Sequence, residues 1–152
     1  MAQGTDHIVG GVAVWFVFIY LLRSNILSVF TLGICLICAV AGSLFPDIDV
    51  KSKGQKLFYG IMAPAYIFLF VQGQYALCFV VGLCALLPML CTHRGLFHRW
   101  WFLIAFSGLW GLAIIRMFPQ NTDLVGMGTL FFILGCLSHL WLDFGLLKIF
   151  GR

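Results

Sequence analysis

The chain has 152 residues, of which 62% are hydrophobic and only 9% are charged. Soluble domains carry roughly 25% charged residues, so the composition excludes an ordinary soluble protein and predicts one integral membrane domain over residues 1–152. The net charge of +4 comes from nine Lys and Arg residues against five acidic residues. The basic residues are spread over short connections and form no long run, so we expect no nucleic-acid partner.

Six apolar segments follow one another along the chain. They are Ile8–Leu22, Ile26–Phe45, Leu57–Val71, Tyr75–Cys91, Trp100–Phe118 and Leu124–Leu147. Most approach the length of about 20 residues that a transmembrane helix needs. Only Gln72-Gly73-Gln74 separates the third from the fourth, but one helix over both would be roughly 50 Å long, so we predict a helical hairpin. The predicted fold is an all-α, polytopic transmembrane helix bundle of about six spans.

Small residues within these segments would allow the helices to approach closely. They include Gly10, Gly11, Gly33, Gly42, Gly108, Gly111, Gly126 and Gly128.

With six spans, both termini and the loops 46–56 and 92–99 lie on one side of the membrane. Of the nine basic residues, only Arg23 and Arg116 lie on the opposite side. Because positively charged loops remain in the cytoplasm, we predict that the N-terminus and the C-terminus are both cytoplasmic.

Residues that could bind a metal or transfer a proton collect near this predicted cytoplasmic face. They are His7, Asp47, Asp49, His93, His98, His139 and Asp143. The chain contains no Glu, and ionisable groups at membrane depth are costly, so each of these residues is a functional candidate.

The last span carries His139 and Asp143 four residues apart, which places them on one helix face. They can bind one metal together, or the carboxylate can orient the imidazole; a buried hydrogen-bonded pair that joins helices is the structural alternative. His7 opens the first span, where it is either a ligand or an interfacial histidine.

Two carboxylates, Asp47 and Asp49, follow Pro46 at the end of the second span. Because proline disfavours helix in the preceding residue, we expect irregular or extended backbone, on which the two side chains point the same way. They could bind a divalent ion, or they could form an acidic turn near the headgroups.

The segment from His93 to Arg99 holds two histidines five residues apart. A regular helix would separate His93 from His98 by roughly 140°, so both can be ligands only if Gly95 allows a turn. Otherwise one is a ligand and the other a base. Arg94 and Arg99 suit a phosphate or an anionic transition state, or they anchor the cytoplasmic face.

Four separated parts of the chain therefore bring His or Asp to one face. We predict that they converge on one or two divalent ions, with zinc preferred and manganese second, and that Asp47 and His139 lie within roughly 12 Å of each other. Such ions activate water, so hydrolysis is the natural reaction class.

These motifs resemble a known family. They are His7 followed by Gly10-Gly11, Leu44-Phe45-Pro46-Asp47-Ile48-Asp49, His93-Arg94-Gly95-Leu96-Phe97-His98, and Ser138-His139-Leu140-Trp141-Leu142-Asp143. In this order they are similar to the YdjM-like inner-membrane proteins, which are regarded as metal-dependent hydrolases on the strength of such motifs. The resemblance implies a multi-pass protein of a bacterial inner membrane and a ligand role for the seven His and Asp residues. The chain differs from the family pattern at Phe97 and Arg99, where Thr and Ser are common, and this difference bears on substrate preference.

The first hypothesis is a metal-dependent hydrolase at the cytoplasmic leaflet, in which Asp47, His98, His139 and Asp143 are the leading ligands. The catalytic roles fall on His93, Asp49, Arg94 and Arg99: one of the first two accepts a proton, and one of the arginines holds an anionic group. Membrane lipids surround such a site, so we expect an amphiphilic substrate with a lipid or phosphoester character.

Two alternatives come from other functional classes. A carrier for a divalent ion or a proton would need ionisable residues through the whole membrane, and the far side offers few. A noncatalytic adaptor would hold a structural metal and bind a soluble cytoplasmic partner through the loops 46–56 and 92–99; a closed four-ligand site would favour it. The sequence leaves the oligomeric state open.

Overall fold

The computed structural model describes residues 4–21, 28–49, 51–90 and 95–145. The helices are α1 (Gly4–Leu21), α2 (Val29–Leu44), α3 (Lys53–Val71), α4 (Tyr75–Leu90), α5 (Trp100–Met117) and α6 (Thr122–Phe144). Three short 3₁₀ turns, which we call the 45–49, 96–98 and 119–121 turns, lie at Phe45–Asp49, Leu96–His98 and Pro119–Asn121. The described residues contain no strand, which confirms the predicted all-α class.

Local sequence explains several helix boundaries. Ser28 and Ser52 stand just before α2 and α3, and each side-chain oxygen accepts a hydrogen bond from the backbone N–H three residues later. Gly73, at φ 69°, forms the tight turn between α3 and α4, and Gly145, at φ 75°, ends α6. The predicted break at Gln72-Gly73-Gln74 is therefore confirmed.

Within the described ranges, four helical segments are long and apolar enough to cross a membrane. They are Val29–Asp49, Lys53–Val71, Trp100–Met117 and Pro119–Phe144. The apolar stretches of the other two helices, Thr5–Leu21 and Leu77–Leu86, are shorter. The helices of a transmembrane bundle are thus present, while the count of six spans and the cytoplasmic position of both termini stay predictions.

The packed centre of the bundle is the pair α2 and α6, with α1 and α5 on either side. Glycines allow the two central backbones to touch: a Cβ at Gly42 would collide with the carbonyl oxygen of Phe132, and a Cβ at Gly135 with that of Ala39. The buried core beside this contact includes Phe131 and Cys35. We call α1, α2, α5 and α6 the four-helix core.

Helices α3 and α4 form a hairpin that packs both on itself and against the 45–49 turn. The Tyr59 hydroxyl of α3 donates a hydrogen bond to the carbonyl oxygen of Ala85 in α4, at 2.9 Å. The hairpin meets the core at the 45–49 turn, where Gly54 lies so close to the carbonyl of Leu44 that a Cβ would collide with it. Gly54 is the one buried residue of α3.

Candidate metal centre

The 45–49 turn positions Asp47 at one end of the core. Phe45 and Ile48, three residues apart, are both buried in the core cluster and hold the turn in place. The prediction of irregular or extended backbone here is wrong, because the chain continues from α2 into a 3₁₀ helix. With three residues per turn, the side chains of Asp47 and Asp49 are rotated by about 120° from each other rather than parallel.

The 96–98 turn brings His98 to the same place. Its neighbour Phe97 is 1% exposed and packs against Phe45 and Phe102, with ring centroids 5.7 and 5.4 Å apart. Gly95 directly precedes the turn, but His93 lies outside the described residues, so the prediction that a turn at Gly95 lets both histidines be ligands stays a prediction. His98 is itself buried, and its ring meets that of His139 edge to face at 5.7 Å.

Helix α6 supplies His139, which has no exposed surface. Its Nδ1 lies 2.8 Å from the backbone carbonyl oxygen of Ser43 in α2. A carbonyl oxygen can only accept, so Nδ1 carries the ring proton and Nε2 carries the lone pair. This contact fixes the orientation of the ring and leaves Nε2 as the nitrogen that is available to a cation.

Helix α1 contributes His7, whose ring stacks on that of His139 with centroids 3.8 Å apart and planes 17° apart. His7 Nε2 lies 3.8 Å from Asp143 Oδ1, and His139 Nε2 lies 3.9 Å from Asp143 Oδ2. His7, His139 and Asp143 thus form one group of potential ligands.

Asp47, His98 and His139 form a second group. Asp47 Oδ1 lies 3.5 Å from His139 Nε2 and 3.7 Å from His98 Nε2. The predicted proximity of Asp47 and His139, within roughly 12 Å, is therefore confirmed. His139 belongs to both groups and joins them into one cluster of five side chains, which we call the His/Asp cluster: His7, Asp47, His98, His139 and Asp143.

The spacing within the His/Asp cluster fits a bound cation better than hydrogen bonds. The four N···O distances of 3.5 to 3.9 Å exceed the 2.7–3.2 Å of N–H···O bonds. Two ligands that each lie about 2.1 Å from one ion in tetrahedral geometry are roughly 3.4 Å apart. Mixed imidazole and carboxylate donors suit zinc or manganese.

Buried polar atoms without a hydrogen-bond partner also indicate a site for a cation. Within the described residues, His139 Nε2 and Asp143 Oδ1 are buried and have no hydrogen-bond partner. Leaving such atoms unpaired is costly, and a cation in their midst would remove part of this cost. The residues therefore fit a divalent ion, and the carbonyl of Ser43 would orient one ligand from behind.

The other predicted site residues stand apart from this cluster or outside the described part of the chain. Asp49 lies in the 45–49 turn but belongs to neither group of potential ligands. Arg99 is exposed at the start of α5. His93 and Arg94 fall outside the described residues, so their proposed roles as ligand, base or anion holder stay predictions.

Sequence reasoning did not identify the carbonyl of Ser43 as part of the site. A backbone acceptor has no residue-type signature, and only the register of α2 against α6 makes it a partner of His139. The stacking of His7 on His139 was missed for the same reason, since it depends on how α1 lies against α6.

Comparisons with known proteins were made for the whole chain. A search of curated proteins and a search of solved structures each gave no match. The family model described as YdjM inner membrane protein matches residues 1–146. The apolar helices described above fit a protein that crosses the inner membrane several times. The chain therefore belongs to the YdjM family of inner membrane proteins.

Proposed function

We propose that this protein is a metal-dependent hydrolase whose centre is the His/Asp cluster. The observation that carries the proposal is the convergence of five His and Asp side chains from α1, α6 and the 45–49 and 96–98 turns at one end of an apolar bundle. Placing ionisable side chains at membrane depth costs free energy. A group of five such side chains is therefore a candidate functional site.

The proton on His139 Nδ1 favours a single central ion. Its contact with the Ser43 carbonyl leaves Nε2 as the one lone pair of His139, and this nitrogen faces both Asp47 and Asp143. A nitrogen lone pair binds one cation, so the two groups of potential ligands are two sides of one centre. We propose zinc first and manganese second as the ion.

One side of the centre is more accessible than the other. The side chain of Asp47 is 23% exposed, whereas that of Asp143 is 4% exposed. A substrate would therefore approach from the side of Asp47, and the ligands around His7 and Asp143 would remain shielded from water. A bound divalent ion would supply Lewis acidity and activate water for attack on an ester.

Exposed basic residues near this end suit a substrate with an anionic headgroup. Lys51, Lys53 and Lys56 follow the 45–49 turn, and Arg99 follows the 96–98 turn. In our proposal these side chains attract a phosphate group, and Asp49 or His93 accepts the proton that water releases. A membrane-embedded centre with a basic rim favours a phospholipid or another amphiphilic phosphoester at the cytoplasmic leaflet.

The test combines metal analysis with a hydrolysis assay on the purified protein in lipid nanodiscs. We expect about one zinc or manganese per chain, and release of product from phospholipid phosphoesters. Asp47→Asn and His139→Gln should remove most of the metal and the activity. Asp123→Asn, which changes an exposed acid at the other end of α6, is the matched control and should change neither.

Two results would contradict this proposal. A well-folded wild-type protein that takes up no metal after supplementation would remove the basis of the centre. A stoichiometric metal without hydrolysis of any lipid or phosphoester would instead favour the adaptor with a structural metal.

A further inference from the structure

A cavity of about 500 Å³ lies between the α3–α4 hairpin and helices α2, α5 and α6. Its lining is almost entirely apolar and includes Leu57, Val81, Phe106, Trp110 and Phe132. The volume falls within the range of roughly 300–1,000 Å³ that is typical of small-molecule sites. A lining with so few polar groups suits a hydrocarbon chain better than water, which needs two to four polar partners per molecule.

The cavity reaches the 45–49 turn, which carries Asp47, and continues into the membrane-spanning part of the bundle. Phe45 and Ile48, which flank Asp47 in the 45–49 turn, line one end. Along α6 the lining runs from Phe132 to Leu124, a rise of about 12 Å. A molecule with its polar group at the His/Asp cluster could therefore place an apolar chain directly in this space.

One polar side chain in the cavity wall lacks a partner. Ser107, in the middle of α5, is 6% exposed, and its Oγ has no hydrogen-bond partner within the described part of the chain. A buried hydroxyl without a partner is costly, so a ligand with an acceptor at this depth would be favoured. Ester carbonyls of glycerolipids are such acceptors, and they lie deeper in the bilayer than the phosphate. Ser107 likewise lies about 10 Å along α5 from Trp100, which follows the 96–98 turn.

We propose that this cavity holds one ester-linked acyl chain of a membrane glycerolipid, with the Ser107 hydroxyl donating a hydrogen bond to the ester carbonyl. The proposal rests on the proposed function, because it identifies the lipid class that the His/Asp cluster would hydrolyse. The bilayer supplies acyl chains at very high local concentration, so even a modest preference for the cavity would fill it.

The first experiment maps where an acyl chain lies. The full chain is placed in nanodiscs that contain a phosphatidylglycerol probe with a diazirine in the middle of one acyl chain. After illumination, mass spectrometry compares labelling of the cavity side of α5, at Phe106 and Trp110, with labelling of its lipid-facing side, at Leu109 and Leu112. We expect stronger labelling on the cavity side. Equal labelling of the two sides would overturn the proposal.

Variants on the same helix provide the control. Ser107→Phe fills the cavity and should reduce cavity-side labelling to the level of the lipid-facing side. Leu109→Phe places the same aromatic side chain at a residue that is 69% exposed, and it should leave the pattern unchanged. If Ser107→Phe folds and the pattern stays as in the wild type, the acyl chain does not occupy this cavity.

The second experiment tests the hydrogen bond from Ser107. Ester-linked phosphatidylglycerol should displace the probe about fivefold better than its ether-linked analogue, because the ether lacks the carbonyl acceptor. Ser107→Ala removes little volume and should abolish this preference while cavity-side labelling persists. Equal competition by ester and ether lipids in the wild type would overturn the assignment of Ser107.

Failure of this proposal can be separated from failure of the proposed function. Asp47→Asn should remove metal and hydrolysis but leave cavity-side labelling intact, because the acyl chain contacts other residues. Selective labelling of a wild-type protein that binds no metal would retain the acyl-chain site and reject the hydrolase. Hydrolysis without selective labelling would retain the hydrolase and reject the acyl-chain site.

Discussion

The four-helix core and the α3–α4 hairpin have similar apolar sequences but very different surroundings. In the core segments Val29–Asp49 and Pro119–Phe144, 39% of the most apolar window is buried, whereas in Lys53–Val71 of the hairpin the share is 6%. Four of the five side chains of the His/Asp cluster come from core helices or from the 45–49 turn that extends α2, and the fifth, His98, directly precedes α5. The difference teaches that apolarity places a helix in the membrane, while close packing decides where polar side chains can be held.

The largest expected effect concerns Phe97, the buried aromatic residue beside His98. Phe97→Ala should lower the free energy of unfolding by about 3 kcal/mol, because it leaves a cavity among the buried hydrophobic residues that support the 96–98 turn. It should also weaken binding of the proposed metal by roughly tenfold, since His98 loses its support. Denaturation in mixed detergent micelles and competition with a zinc chelator measure the two effects.

The matched control for Phe97 lies in the hairpin. Phe68 in α3 is 62% exposed, so Phe68→Ala should change the free energy of unfolding by less than about 0.5 kcal/mol. Similar losses for the two variants would show that the hairpin is packed as tightly as the core.

A second prediction compares glycines. Gly42→Ala should destabilise the protein by about 2 kcal/mol, because its Cβ would collide with the backbone of Phe132 where α2 meets α6. Gly60→Ala in α3 meets no atom within 4 Å and should raise the free energy of unfolding by about 0.5 kcal/mol through helix propensity. The same denaturation assay compares them, and a stabilising Gly42→Ala would contradict the close contact of α2 with α6.

The third prediction concerns the hairpin itself, and its expected loss of stability is smaller than those of Phe97→Ala and Gly42→Ala. Tyr59→Phe removes the hydrogen bond to the carbonyl of Ala85 and should cost about 1 kcal/mol of unfolding free energy. Metal content should remain unchanged, because this bond lies within the hairpin. Tyr66→Phe, which removes the hydroxyl of a more exposed tyrosine on the same helix, is the control. A loss of metal in Tyr59→Phe would mean that the hairpin and the His/Asp cluster are coupled.

Much of the fold could be predicted from the sequence because apolar length alone marks the helices. The six predicted segments correspond to α1 to α6 with boundaries shifted by a few residues, and the hairpin turn falls at Gly73 as expected. The predicted close helix contact is confirmed at Gly42. At Gly33 it is not found, because an added Cβ would meet no atom within 4 Å. Gly135, which touches the backbone of Ala39, was not among the predicted contacts. The apolar pattern does not reveal which face of a helix meets which neighbour.

The candidate site was predictable to the extent that rare residue types mark it. In a chain with so few ionisable residues, Asp47 and His139 could be paired without knowledge of the fold. The direction of Asp49 could not be predicted, since it depends on whether the chain after Pro46 is extended or 3₁₀. The partner of His139 Nδ1 required the packing of α2 against α6.

The position of His139 and Asp143 on α6 has a consequence for biogenesis. Residues from α1, the 45–49 turn and the 96–98 turn enter the membrane during synthesis before the last helix does. Until α6 inserts between α1 and α5, the earlier residues of the His/Asp cluster lack the imidazole that joins the two groups of potential ligands. A chain arrested before α6 would therefore reach the membrane without a complete His/Asp cluster, and the metal that we propose for this cluster would bind only after insertion of the helices is finished.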